Sequence, residues 1–214
     1  MAQIKFTSLA DAVFDKIEKD ILTGVYKKGD VLTELELSNA LSVSRTPIRE
    51  AIRRLEQDNL IKESGKGHIV LGVSEQDIID IYDIRLKIEG YAAFLCAQKI
   101  NKEKLEEMRE VVDLLEFYTQ KNVTDKIKGA DSAFHELIYE NSGSEIYNWI
   151  LSSLHKKIQK IRSVSVSDPI RADKAVVEHR AIFDAIEKGD GEMAEKLMIE
   201  HINNAKNNIL KIEK

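Results

Sequence analysis

The sequence predicts a mainly α-helical protein, with a winged helix-turn-helix at the N-terminus and an all-α bundle of about six helices behind it. Three observations lead there. Apolar residues recur at helical spacing through most of the 214 residues. Strand signals are confined to one glycine-centred stretch, KESGKGHIVLG, at 62–72. Only two prolines and ten glycines interrupt the chain. Dividing it where the strand signal ends gives a head over 1–73 and a helical part over 74–214.

The first helix is marked by Val13, Ile17 and Ile21 and stops at Thr23 and Gly24. After the turn YKKGD and the short apolar piece Val31-Leu32, Thr33 is placed to cap ELELSNAL, whose apolar face is read as Leu35, Leu37 and Leu41. SRTPIREAIRRLEQDNLI follows, with Ser44 as its expected cap. Pro47 falls in the first turn, where a missing N–H removes no helical bond. Ile48, Ile52 and Leu55 form the inward stripe, whereas Arg45, Arg49 and Arg53 step by four along another face. Gly65 and Gly67 are expected to supply positive φ in the hairpin turn.

Beyond residue 74 the periodicity predicts helices over 75–98, 102–120, 123–140, 144–164, 170–187 and 190–212. Starts are punctuated by Ser74 with Asp77, by Asn101, by Ser144 after the NSGSE turn and by Asp190. Hydrophobic residues at 43% and charged residues at 32% exclude a disordered or fibrous chain. No tract of about 18 apolar residues could span a bilayer, and the N-terminus carries no secretion signal, so a cytoplasmic location without a membrane partner is expected. The single cysteine, Cys96 in YAAFLCA, reads as a buried small hydrophobe.

Charge is unevenly distributed. The chain totals −5, yet residues 1–72 hold eleven basic and eleven acidic groups, so the whole deficit lies in the helical part. Within the neutral head, VSRTPIREAIRRL places four arginines in thirteen residues. In a helix-turn-helix the second helix enters the major groove with its N-terminal residues against base edges. Ser44, Arg45, Thr46 and Arg49 occupy that end, with Arg53 one turn further on the same face. Lys66, Gly67 and His68 sit at the hairpin, where a wing meets the minor groove or the backbone. The competing reading pairs Arg49 and Arg53 with Glu50 or Glu56 on a solvated face.

The string VSRTPIREAIRRLEQDNLI is similar, almost position by position, to the recognition element of GntR-type bacterial transcription regulators. The upstream GD-V-L-TE-x-E-L-x-x-AL fits their preceding helix, and the match covers about residues 8–72. Two departures stand out. Leu35 occupies a position that is often basic, so no DNA contact is assigned to it. Asn59 replaces the usual glycine after the recognition helix, and asparagine tolerates the left-handed conformation.

A second constellation lies in the helical part. Asp131 and His135, four apart in ADSAFHELIYE, share one helical face; His179 and His201 fall on two later helices. Taken singly, each histidine is better read as a core or surface residue, and His68 and His155 are left so. The order Asp, His four later, His before AI-x-x-GD and a last His one helix on resembles the FadR-like branch of the same family. That branch's C-terminal FCD domain commonly binds a metal through these four positions. The ligand set suits a divalent ion among Zn, Ni, Mn and Fe, with Zn or Ni favoured. Arg85, in IYDIRLKIEGYAA, matches an arginine near the branch's effector pocket, and its other reading is an intrahelical pair with Glu89.

The resemblance thus implies a homodimeric, DNA-binding transcription regulator or repressor rather than an enzyme, binding a near-palindromic operator and answering to a small organic acid. Two alternatives stand beside it. One is a helical metalloenzyme, against which the sequence offers no HExxH and only Glu178 and Glu200 beside the ligands, each turned about 100° away on its helix. The other is a metal-free dimerisation module.

Overall fold

The computed structural model describes residues 8–164 and 169–212, and the chain forms two compact units, 1–74 and 75–214. The first unit runs α1 (Leu9–Leu22), β1 (Val31–Leu32), α2 (Glu34–Leu41), α3 (Arg45–Gln57), β2 (Ile61–Ser64) and β3 (Gly67–Val70). Ser8 and Asp11 open α1 with a reciprocal capping box. Its Val13, Phe14, Ile17 and Ile21 meet Ile48, Ala51, Ile52 and Leu55 of α3, with Leu37, Leu60, Ile61 and Val70 closing the cluster. Each large apolar side chain buried there stabilises the unit by about 1.5–3 kcal/mol.

The structure corrects the sequence reading at several points in this unit. Leu35 stands exposed while Leu37 is buried, because residues two apart on a helix lie on nearly opposite sides. Ser44 is the N-cap of α3 by backbone conformation, yet its hydroxyl makes no capping bond. Val31-Leu32 is a third strand: β1 and β2 both pair antiparallel with β3, in the order β1-β3-β2. Of the two turn glycines, Gly67 alone has positive φ, at 138°, and a Cβ there would lie 2.6 Å from the Leu32 carbonyl oxygen. Glycine is therefore demanded at 67 by the approach of β1. Asn59 takes the left-handed conformation (φ 57°), as its side chain permits, and the turn after α3 closes with Leu60 N–H donating to Leu55 C=O at 2.9 Å.

The second unit is all helix: α4 (Glu75–Lys99), α5 (Lys102–Gln120), α6 (Thr124–Asn141), α7 (Glu145–Val164), α8 (Pro169–Glu187) and α9 (Gly191–Ile212). Asn101 accepts from Lys104 N–H, Ser144 Oγ from Tyr147 N–H and Asp190 from Met193 N–H, so these polar starts act as caps. Gly90 lets α4 and α9 approach closely, since a Cβ there would meet Ile199 at 2.7 Å. Cys96 is fully buried, and burial pushes its thiol up to about 12, which makes it inert. Among the described residues no helix is long and apolar enough to cross a membrane.

Candidate nucleic-acid interface and metal centre

One side of α3 is sealed into the core: Ile48, Ala51 and Leu55 are fully buried and Ile52 nearly so. The other side presents Ser44, Arg45, Thr46, Arg49 and Arg53 to solvent. The first four sit at the helix N-terminus, where unpaired N–H groups and the helix dipole favour anions. The fourth arginine of the cluster is held back. Arg54 donates to Asp11 at 2.7 Å and lies 4.0 Å over the Phe14 ring, tying α3 to α1.

Arg49 makes neither of the pairs considered from the sequence. Its Nε donates to both oxygens of Glu34 on α2, at 2.8 and 2.9 Å, an ion pair between helices that helical spacing cannot reveal. Glu56 instead faces His68 Nε2 at 3.6 Å. Lys66 is exposed at the β2–β3 turn, whereas His68 is half-buried against Glu56, and its Nδ1 has no hydrogen-bond partner among the described residues.

In the helical unit, Asp131, His135 and Tyr139 stand at successive turns of α6, all buried. His179 from α8 and His201 from α9 reach the same place. Ligand atoms of His135, His179 and His201 lie within 4.8 Å of one another. His135 Nε2 is 3.3 Å from His179 Nε2, which is in turn 3.6 Å from Asp131 Oδ1. The other Asp131 oxygen accepts from the Gln159 amide at 2.7 Å. Three histidines from three helices thus meet at one point, and Asp131 stands outside their group, beside His179.

A second layer surrounds them. Arg85 does form the pair with Glu89, Nε to Oε2 at 2.7 Å and Nη2 to Oε1 at 3.1 Å, but the pair is fully inside the bundle rather than on its surface. Glu89 also takes His135 Nδ1 at 2.8 Å and the Tyr139 hydroxyl at 2.7 Å. Glu178, adjacent in sequence to His179, serves a different histidine: its carboxylate lies 2.7 Å from His201 Nδ1 and accepts from Asn204.

His155, read from the sequence as an ordinary residue, belongs to this assembly. Its Nε2 is 3.2 Å from Gln159 Nε2 and its Nδ1 3.5 Å from Arg85 Nη2. A neutral imidazole accepts at one nitrogen only, so with amide and guanidinium donors on both sides one ring N–H faces another donor.

Burial works against charge on Glu89, but Arg85 and the bond from His135 override it and hold the carboxyl well below the usual range. For His155, burial pushes the imidazole well below its ordinary value, with His135 and Arg85 adding to the effect. Burial lowers His201 as well, against the opposing pull of Glu178. Neutral imidazoles are the form that donates a lone pair to an ion. A buried set of three imidazoles with a carboxylate beside one of them fits a divalent ion such as Zn(II), Ni(II), Mn(II) or Fe(II).

An arginine-faced winged helix-turn-helix joined in one chain to an all-helical unit defines a DNA-binding transcription regulator. The comparisons with known proteins agree. Residues 9–70 match the model of the bacterial regulatory proteins of the gntR family, and residues 80–204 match that of the FCD domain. The chain is 30% identical over 92% of its length to the probable D-xylose utilization operon transcriptional repressor of Paenarthrobacter nicotinovorans, covering 86% of that protein. It is 29% identical over 89% of its length to the uncharacterized HTH-type transcriptional regulator YdhC of Bacillus subtilis, again covering 86%. The solved structure of E. coli McbR/YncC shares the fold, with a TM-score of 0.71 at 22% identity over 96% of this chain and 97% of that one. The chain belongs to the GntR family, in the group whose C-terminal part is an FCD domain.

Proposed function

We propose that this regulator is a homodimeric repressor whose hold on a near-palindromic operator is set by a small organic acid bound beside a divalent ion in the helical unit. Ser44, Arg45, Thr46 and Arg49 read base edges and grip phosphates in the major groove, Arg53 holds the backbone, and the wing residues Lys66, Gly67 and His68 approach the flanking groove. Asp131, His135, His179 and His201 hold the ion. Arg85, within reach of His155, offers guanidinium hydrogens to an effector carboxylate. The observation that carries this reading is the convergence of three buried histidines, with Asp131 beside His179, in a chain whose recognition helix turns its arginines outward.

Repression is supported by the name of the xylose-operon relative. Pairing is supported by Ile146 and Trp149, exposed apolar side chains on α7 that a second copy would cover. An effector that binds one arrangement of the dimer better than the other changes operator affinity by at most that difference. Native mass spectrometry with elemental analysis of untagged protein tests the reading. A dimer carrying one divalent ion per chain is expected, and an ion-free monomer whose operator binding ignores added Zn(II) and organic acids would refute it.

A further inference from the structure

Each histidine has two ring nitrogens, and a ligand must present its lone pair on the one that faces the ion. For His135 and His201 a carboxylate makes that choice. His135 puts Nδ1 against Glu89 at 2.8 Å and Nε2 toward His179. His201 puts Nδ1 against Glu178 at 2.7 Å, which leaves Nε2 as its ligand atom. An ionised carboxylate only accepts, so in a neutral ring the proton resides on Nδ1 and the lone pair on Nε2.

We infer that Glu89 and Glu178 are positioning residues of the ion site, each accepting the Nδ1–H of one histidine and so fixing both Nε2 lone pairs on a common point. The inference rests on the ion-binding reading above and assigns two residues that the ligand pattern does not contain. The two differ in what else they hold. Glu89, on α4, is completely buried and also carries Arg85 and Tyr139. Glu178, on α8, is partly exposed and carries Asn204 of α9. Helix α8 therefore supplies one ligand, His179, and the orienting group of another, so ion binding and the α8–α9 contact are linked through two adjacent residues. A carboxylate behind a ligand histidine also raises its basicity and strengthens its bond to a dication.

Zn(II) affinity of the full chain, measured by chelator competition, and the visible spectrum of its Co(II) form test the assignment. Glu178→Ala is expected to weaken Zn(II) binding about 10–100-fold and to alter the Co(II) absorption. Glu178→Gln, whose amide oxygen still accepts from Nδ1–H, is expected to recover part of the loss. Glu89→Gln is expected to weaken Zn(II) binding too; if it does not fold, the Glu178 pair decides alone. A Glu178→Ala protein with a lowered melting temperature but wild-type Zn(II) affinity and Co(II) spectrum would show a packing contact only, and would overturn the inference while leaving the ion site intact. A wild-type chain that takes up neither metal overturns both.

Discussion

In the head, Arg45, Arg49 and Arg53 stand in solvent over an apolar core cluster, with Glu18 and Asp20 the buried acidic groups of α1. In the helical unit, Arg85, Glu89, Asp131 and four histidines lie inside the bundle. The difference matches what each unit is proposed to meet. A duplex is a large polyanion that must be approached from outside, and exposed guanidinium groups hold it through charge and hydrogen bonds. A single ion needs several donors converging in a small, shielded space. Charge that faces out can be removed without disturbing the fold. Charge that faces in is part of the fold, because every group depends on its neighbours to compensate its burial.

Four expected outcomes sharpen or break this contrast. Glu89→Ala strands Arg85 in the interior and should destabilise the helical unit by about 3–5 kcal/mol. Urea denaturation measures it, and a loss no larger than that of a surface variant would mean the buried pair is dispensable. Leu55→Ala in the head should cost about 2–5 kcal/mol for a purely apolar reason, cavity plus lost burial. Operator affinity of the remaining folded fraction should be unchanged. Saturating the ion site at 100 times its dissociation constant should add about 2.7 kcal/mol of stability; in calorimetry only the transition of the helical unit should move. The smallest change is Arg49→Ala. It should cost about 1–3 kcal/mol of operator binding, with a stability change of about 0.5 kcal/mol or less. If instead it unfolds the head, Arg49 is held chiefly by Glu34 and the outward-facing assignment fails.

Much of the architecture could be read from single elements. The stripe Ile48, Ile52 and Leu55 and the arginines stepping between its turns fixed how α3 is oriented, because helical spacing alone assigns residues to faces. Thr33, Asn101 and Asp190 announced helix starts through side-chain chemistry that acts within three residues. Strand β1 was harder to see. Two residues carry no periodicity, and what makes them a strand is the partner β3 more than thirty residues on.

For the candidate site the division is similar. Asp131 and His135 were visible as a pair on one face, and His179 and His201 stood out by order along the chain. His155, Gln159, Glu178 and the deeper role of Glu89 were not, because each is defined by a partner on another helix. The i, i+4 spacing of His155 and Gln159 was available as a signal, and so was the helical spacing of the apolar Leu151 and Ile158 about His155, whose shared face the structure buries.

By itself the sequence determined the helices, the outward arginine face and the family, since local periodicity, capping and a contiguous motif act over a few residues or one helix. Only the tertiary structure decided which groups meet: Arg49 with Glu34, Gly67 with Leu32, and two carboxylates behind two histidines drawn from four different helices. Bonds of that kind depend on distance in space, and helix packing sets that distance without leaving a mark in the order of the residues.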